Sequence, residues 1–143
     1  MGQYVDFNVL EVGDPLPPLT KDPITKVQLV RYAGASGDFN PLHTDDSVAQ
    51  KGGMKGVIAQ GILIMGFMGQ AISGWAKKRD LKRFKVRFMG MTYPGDVITI
   101  KAAVKEKQET EKGVFVLCEV VAEDQNSEIK VSGQFEVLAG TGT

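Results

Sequence analysis

The chain is short of several things at once. Among its 143 residues there is one cysteine, one histidine and one tryptophan. The lone cysteine, Cys118, excludes an internal disulfide framework, and with a single histidine it leaves no recognisable zinc cluster, so neither a metal nor a cofactor is expected. Surplus charge is lacking too, since 17 basic residues balance 17 acidic ones. No basic excess speaks for nucleic acid, and no acidic tail speaks for disorder. No basic region leading into an apolar run opens the chain, so no signal peptide is read, and a cytoplasmic, reducing setting fits. The length suits one domain with a proper core, and residues 1–143 are read as that domain.

One stretch lacks charge altogether. Between Gly56 and Ala76 no ionisable residue occurs, while Lys55 and Lys77-Lys78-Arg79 flank the run. Its length is that of a membrane span. Gln60, Gln70, Ser73 and the glycines at 61, 66, 69 and 74 dilute its apolarity, however, and the patterned strands that follow need something apolar to cover. The expectation is therefore a helix from Gly61 to Trp75 buried in a protein core, with no membrane partner. The cations beyond it suit a helix C-terminus.

Proline shapes the opening. Pro15, Pro17 and Pro18 forbid a helix interior or a central strand, which predicts an arm over the core, with Leu19 to Ile24 as a short edge strand. Thr25 followed by Gln28 has capping-box form and predicts a helix over 25–35, ended by Ser36-Gly37. Asp45-Asp46-Ser47 predicts the cap of a short helix reaching Lys51. From Leu81 the period changes to two. Phe84, Val86 and Phe88 alternate with polar residues, and Tyr93-Pro94-Gly95-Asp96 forms a turn. Ile98, Ile100, Ala102 and Val104 mark a strand, 108–113 a turn, and 114–122 a strand apolar enough to be covered on both faces. In the last strand Ile129, Val131, Gly133, Phe135 and Val137 should face inward against Lys130, Ser132, Gln134 and Glu136. Short turns make the pairing antiparallel. The class is α+β: one curled antiparallel sheet wrapped around a long central helix.

The chemistry concentrates in one run, Tyr32-Ala33-Gly34-Ala35-Ser36-Gly37-Asp38-Phe39-Asn40-Pro41-Leu42-His43, continuing to Ala49. It holds the only imidazole, five residues after a carboxylate. Histidine is the side chain suited to proton transfer near neutral pH, and a carboxylate on the same loop can share one water with it. Spacing alone leaves three readings open: an acid/base pair, a solvated loop histidine, or a helix-capping aspartate. Tyr32 reads as packing, and Met65, Phe67 and Met68, at helical spacing, as core or as the wall of an apolar tunnel.

This run resembles the signature of the MaoC-like acyl dehydratases, which include the R-specific enoyl-CoA hydratases: an aromatic, a small stretch ending Ser-Gly-Asp, one residue, Asn-Pro-Leu-His, five residues, then Ala. Val57-Ile58-Ala59-Gln60-Gly61-Ile62-Leu63 is similar to that family's entry into its central helix, and Val86-Arg87-Phe88 with Tyr93-Pro94-Gly95-Asp96 to its later strand and turn. The resemblance implies a hot-dog fold and a homodimer, with a higher oligomer or a heterodimer as alternatives. It implies reversible hydration of trans-2-enoyl thioesters, carried by CoA or by an acyl-carrier protein, to (R)-3-hydroxyacyl thioesters. Asp38 and His43 are then the catalytic pair, Gly61 the backbone donor to the thioester oxygen, and Asn40 a support for the loop.

Two departures from the family pattern stand out. Gln60 occupies a place where the family commonly has histidine, so any supporting role there becomes purely structural. No serine occurs near Gly66. Arg87 has two readings, a contact to a CoA phosphate or a solvated strand face, and Met65 is the candidate for the acyl-tunnel wall. The rival functions are a hot-dog acyl-thioesterase and a non-catalytic acyl-thioester-binding subunit of a dehydratase complex.

Overall fold

The computed structural model describes residues 4–140, and its elements follow from local chemistry before any packing is invoked. A two-residue strand, β1, covers Leu19–Thr20. Helix α1, Lys26–Ser36, begins where the Thr25 hydroxyl accepts the Gln28 amide at 3.0 Å. It ends at Gly37, whose φ of 78° lies in the left-handed region that glycine adopts without strain. A single 3-10 turn spans Pro41–His43, and α2 spans Asp46–Lys51 under the Asp45 cap. The long helix α3 is Gly61–Trp75, as the uncharged run predicts. No helix among the described residues is long and apolar enough to cross a membrane.

Four longer strands follow: β2 Leu81–Phe88, β3 Thr99–Thr110, β4 Gly113–Glu123 and β5 Ile129–Ala139. They join β1 in one antiparallel sheet of order β1-β3-β4-β5-β2. Helix α3 buries Leu63, Ile64, Phe67, Met68, Ala71, Ile72 and Trp75. The same core holds Ile98, Ile100 and Val104 of β3, Val116, Cys118 and Val120 of β4, and Val131, Phe135 and Val137 of β5. Each large apolar side chain buried there contributes about 1.5–3 kcal/mol against exposure. Trp75 stacks on Phe135 with ring centroids 5.9 Å apart and donates its indole N–H to the Pro17 carbonyl at 2.8 Å. The proline arm is thereby tied across the far end of α3, with Phe7 and Leu16 buried beneath it.

Several expectations need correction. The β3–β4 turn is only Glu111–Lys112, because Gln108, Glu109 and Thr110 stay in register with Phe115, Val114 and Gly113. Their polarity marks a hairpin tip with nothing to cover, not a turn. Strand β4 is covered on one face only: Val116, Cys118, Val120 and Ala122 are buried, but Phe115, Leu117 and Val121 remain half-exposed. Ile129 and Lys130 exchange places, the isoleucine lying exposed and the lysine buried. A register shift between Ala122 and Glu123 moves the start of β5, and Asp124 meets the inward Lys130 ammonium at 3.5 Å. The edge strand stops at Thr20 instead of reaching Ile24. Phe88 is half-exposed at the end of β2, and α3 leaves one flank open along Ile62, Gly66, Gln70 and Ser73.

Candidate active site

Asp38 follows the left-handed Gly37 directly, so the chain leaves α1 in a sharp bend. The bend is then stitched by short-range bonds. The Ser36 hydroxyl accepts the Asp38 amide at 3.1 Å, and Asp38 Oδ1 accepts the Asn40 amide at 3.2 Å. Asn40 Oδ1 accepts the Leu42 amide at 3.0 Å, and the Asn40 carbonyl accepts the His43 amide at 3.1 Å. Pro41 suits the first position of this turn because it has no N–H to satisfy. Asn40 thus touches both ends of the loop.

His43 is then held from the other side. Its Nδ1 lies 2.7 Å from the Ile58 carbonyl, and Ile58 donates its own amide to the Leu42 carbonyl at 3.1 Å. A carbonyl can only accept, so Nδ1 is the donor there and Nε2 is the ring nitrogen left to face the site. That Nε2 faces Asp38 Oδ2 at 3.6 Å. The gap is too long for a direct hydrogen bond. The spacing is one that a single water could bridge, hydrogen-bonded to both atoms and donating to each. The imidazole is 12% exposed and the carboxylate 48%, so the pair sits at a surface with the ring recessed.

The segment that grips His43 is itself anchored, by Asp46. One Asp46 oxygen accepts the Val57 amide at 2.9 Å, and the other takes the Lys26 ammonium at 2.5 Å. A methyl at Gly56 would stand 2.8 Å from that first oxygen, so glycine is what lets the carboxylate in. The Lys26 hydrogen bond first, then the Val57 amide, hold the Asp46 carboxyl below the usual aspartate range. The sequence reading sees Asp46 only as a capping residue and misses this clamp. The adjacent Asp-Asp pair, one more carboxylate than a cap needs, is the signal that could have found it. Nothing in the sequence could have shown the Ile58 carbonyl, since every residue has one.

Gly61 opens α3 three residues beyond Ile58, and among the described residues its backbone N–H has no partner. Such an orphan donor at the positive end of a helix dipole suits a developing negative charge. The Phe88 ring lies over this end, 3.0 Å from where a Gly61 methyl would be. Gln60 is 2% exposed and turns inward, donating to the Leu29 carbonyl at 3.0 Å while its Oε1 has no partner. It ties α3 to α1 and does not reach the Asp38–His43 pair. Met65 is half-exposed one turn along α3. Arg87 is not gathered with the others. It lines a recess of about 490 Å³ with Lys85, Glu119, Ser132 and Gln134, on the face of the sheet away from α3.

A curled antiparallel sheet around one long helix, with an aspartate and a histidine on the loop packed against that helix's amino end, defines the hot-dog class. Within it the chain belongs to the MaoC like domain family, which matches residues 8–126. It is similar to an unliganded R-hydratase from Pseudomonas aeruginosa, at 27% identity and a TM-score of 0.82, over 97% of this chain and 88% of that one. Over 88 residues it is 35% identical to 3-hydroxyacyl-thioester dehydratase X of Mycobacterium tuberculosis, covering 53% of this chain and 30% of that protein. Over 86 residues it is 36% identical to a peroxisomal hydratase-dehydrogenase-epimerase of Neurospora crassa, covering 57% of this chain and 9% of that protein. The chain therefore spans less than a third of the length of these curated relatives.

Proposed function

We propose that this protein is a hydro-lyase that adds water across the double bond of trans-2-enoyl thioesters to give (R)-3-hydroxyacyl thioesters, and reverses that reaction. The observation that carries the reading is the Nε2 of His43, the ring nitrogen left to the site because Nδ1 is taken by the Ile58 carbonyl, facing Asp38 across 3.6 Å. Water held between these two acceptors presents its oxygen lone pair to C3 of the enoyl group. One water proton passes to the pair as the C–O bond forms, and the pair returns a proton to C2, so that H and OH add on one face. Electron density displaced from the double bond gathers on the thioester oxygen. The Gly61 N–H, aided by the dipole of α3, is the donor aimed at that charge. Asn40 keeps the loop bent, Gln60 fixes the helix end structurally, and Met65 borders the acyl path.

The same reading makes the protein a homodimer. Phe39, Ile62 and Phe88 are 70%, 56% and 50% exposed, and each adjoins a site residue: Phe39 follows Asp38, Ile62 follows Gly61, and Phe88 covers Gly61. A second copy over these apolar groups would shut water out of the site and complete the acyl pocket. Light scattering of the purified chain tests this, and a monomer at working concentration refutes it.

Turnover of crotonyl-CoA decides the reaction class. Hydration removes the absorbance of the conjugated enoyl thioester and releases no thiol. Thiol release would mean a thioesterase. Tight binding by the folded protein with no turnover would mean a non-catalytic subunit.

A further inference from the structure

Lysine is costly to bury, yet Lys130, the second residue of β5, has a side chain only 6% exposed. Its stem runs beneath Gly90, where a methyl would stand 3.2 Å from Lys130 Cδ. Its ammonium lies 3.5 Å from Asp124 Oδ2 and 3.2 Å from Glu128 Oε2. Asp124 is as buried as the lysine, and its Oδ1 accepts the Asn126 amide at 2.8 Å and the Glu128 amide at 3.0 Å. A buried ion pair loses hydration on both groups, and apolar side chains of similar volume often pack in its place without loss of stability. Stability alone therefore does not account for the lysine.

Its neighbours do. The Lys130 carbonyl accepts both the Met89 amide at 2.9 Å and the Gly90 amide at 3.1 Å, at the point where the chain leaves β2. Two residues beyond Gly90, the buried Thr92 gives its carbonyl to the Ala59 amide at 2.8 Å. Ala59 follows Ile58, whose carbonyl holds His43, and precedes Gly61 by two residues. At the other end of the segment the Phe88 ring lies over Gly61. Residues 88–92 thus meet the start of α3 twice, and Lys130 lies under their middle.

We propose that Lys130 is a positioning residue for the hydration reaction. Held by Asp124 and Glu128, it fixes the 88–92 segment, and through Thr92 and Phe88 it places the Ile58 carbonyl and the Gly61 donor. The proposal rests on the hydratase reading above and adds a residue remote from the proton path. A charge held between two carboxylates has one place to go, whereas a flexible apolar chain settles in several. Misplacement by about 1 Å of a group that orients reactants can cost ~100-fold in rate.

The test is the double variant Lys130→Met/Asp124→Asn. Methionine keeps an unbranched stem beneath Gly90, and asparagine keeps an oxygen for the Asn126 and Glu128 amides, so no lone buried charge is left. The expected result is a melting temperature at or above wild type, with kcat on crotonyl-CoA lowered at least ~10-fold and KM within about twofold. Hydrogen exchange at Ala59 should quicken. A purely structural role predicts the opposite split, a lowered melting temperature with kcat kept, and that outcome overturns the proposal. So does a loss of kcat with exchange at Ala59 unchanged. If the double variant does not fold, Asp124→Asn alone, which leaves Glu128 to the ammonium, is judged by the same split. Turnover of crotonyl-CoA by the wild type keeps the hydratase reading standing whatever the variant does. If the wild type turns over no enoyl thioester, that reading falls, and the ring nitrogen NMR signals of His43 judge the positioning by themselves. Displaced signals in the variant support it and unmoved signals refute it.

Discussion

His43 donates a hydrogen bond from Nδ1 to the Ile58 carbonyl at 2.7 Å, and this one contact leaves Nε2 as the nitrogen that faces the site. The free Nε2 faces a carboxylate that the loop has already oriented through the Asn40 amide. The proposed proton-transfer geometry is therefore built from backbone groups, with the two candidate reactive side chains set into it. Replacing either reactive group should spare the framework. His43→Gln and Asp38→Asn should each lower kcat by at least ~100-fold, with circular dichroism and melting temperature close to wild type. Near-normal turnover in either variant would count against the mechanism.

Asp46 acts one step further out. Asp46→Ala removes the acceptor of the Val57 amide and frees the segment that carries the Ile58 carbonyl. Asp46→Asn keeps an oxygen for Val57 and loses only the charge toward Lys26. The alanine variant should lose kcat more than KM, the asparagine variant should recover most of it, and hydrogen exchange at Val57 and Ile58 should quicken only in the first. Equal losses in both would place the effect in the Lys26 ion pair.

The same carboxylate predicts a pH dependence of stability. Its native pKa lies below the ordinary value of 3.8, because the charged form gains the Lys26 and Val57 hydrogen bonds. A group lowered on folding stabilises the native state above its unfolded pKa and loses that contribution as pH falls through the native one. Wild type should thus melt above Asp46→Asn at about pH 6, and the gap should narrow as pH drops below the ordinary aspartate value. A gap that stays constant into acid would show that the charge of Asp46 contributes nothing.

Much of the fold was legible because its signals are local and repeated. Thr25 with Gln28, Gly37, and the uncharged run of α3 each announce themselves in a few residues. The failures share a cause, which is that periodicity reports a pattern and not a register. Ile129 and Lys130 fit either phase of alternation, and only the shift beside Glu123 and the charge of Asp124 choose between them. The Asp38–His43 run could be picked out, but its tautomer could not, since it depends on a carbonyl fifteen residues away. Asp46 was visible as a cap and invisible as a clamp, because its partners come from α1 and from the approach to α3.

Gln60 offers a test of support without chemistry. Its Nε2 bond to the Leu29 carbonyl contributes about 1 kcal/mol, while its buried, unpartnered Oε1 costs a similar amount. Gln60→Leu should therefore change stability by less than ~1 kcal/mol in denaturant unfolding. Turnover should stay within about tenfold of wild type, since nothing in the proton path is touched. Complete loss of activity would mean that Gln60 belongs among the reactive groups.

Cys118 bears on how the reaction is assayed. It lies in the middle of β4, fully buried, and burial pushes its thiol pKa up to about 12. The thiolate is the reactive form, so the native protein should not react with a disulfide reagent, and the full reaction should appear only on unfolding. This silence allows free thiol from a cleaved thioester to be counted in the presence of enzyme. Rapid labelling of the native protein would reveal opening of the β4 core.

Gly61 joins the catalytic proposal to the apolar groups around it. A methyl there would stand 3.0 Å from Cδ1 and Cε1 of Phe88, inside ordinary contact distance. Phe88 is half-exposed, so its ring can swing outward and the fold should tolerate the change. Alanine also relieves the conformational cost of glycine, about 0.5–1 kcal/mol within a helix, which offsets part of the crowding. Gly61→Ala should therefore leave the melting temperature nearly unchanged while displacing the ring that covers the donor. The backbone N–H itself survives, so any loss of kcat reports access to it and not its removal. Shortening the ring in Gly61→Ala/Phe88→Leu removes the clash and should recover turnover. Unchanged kcat in Gly61→Ala, with the ring shown to move, would mean that the thioester oxygen does not lie at this end of α3.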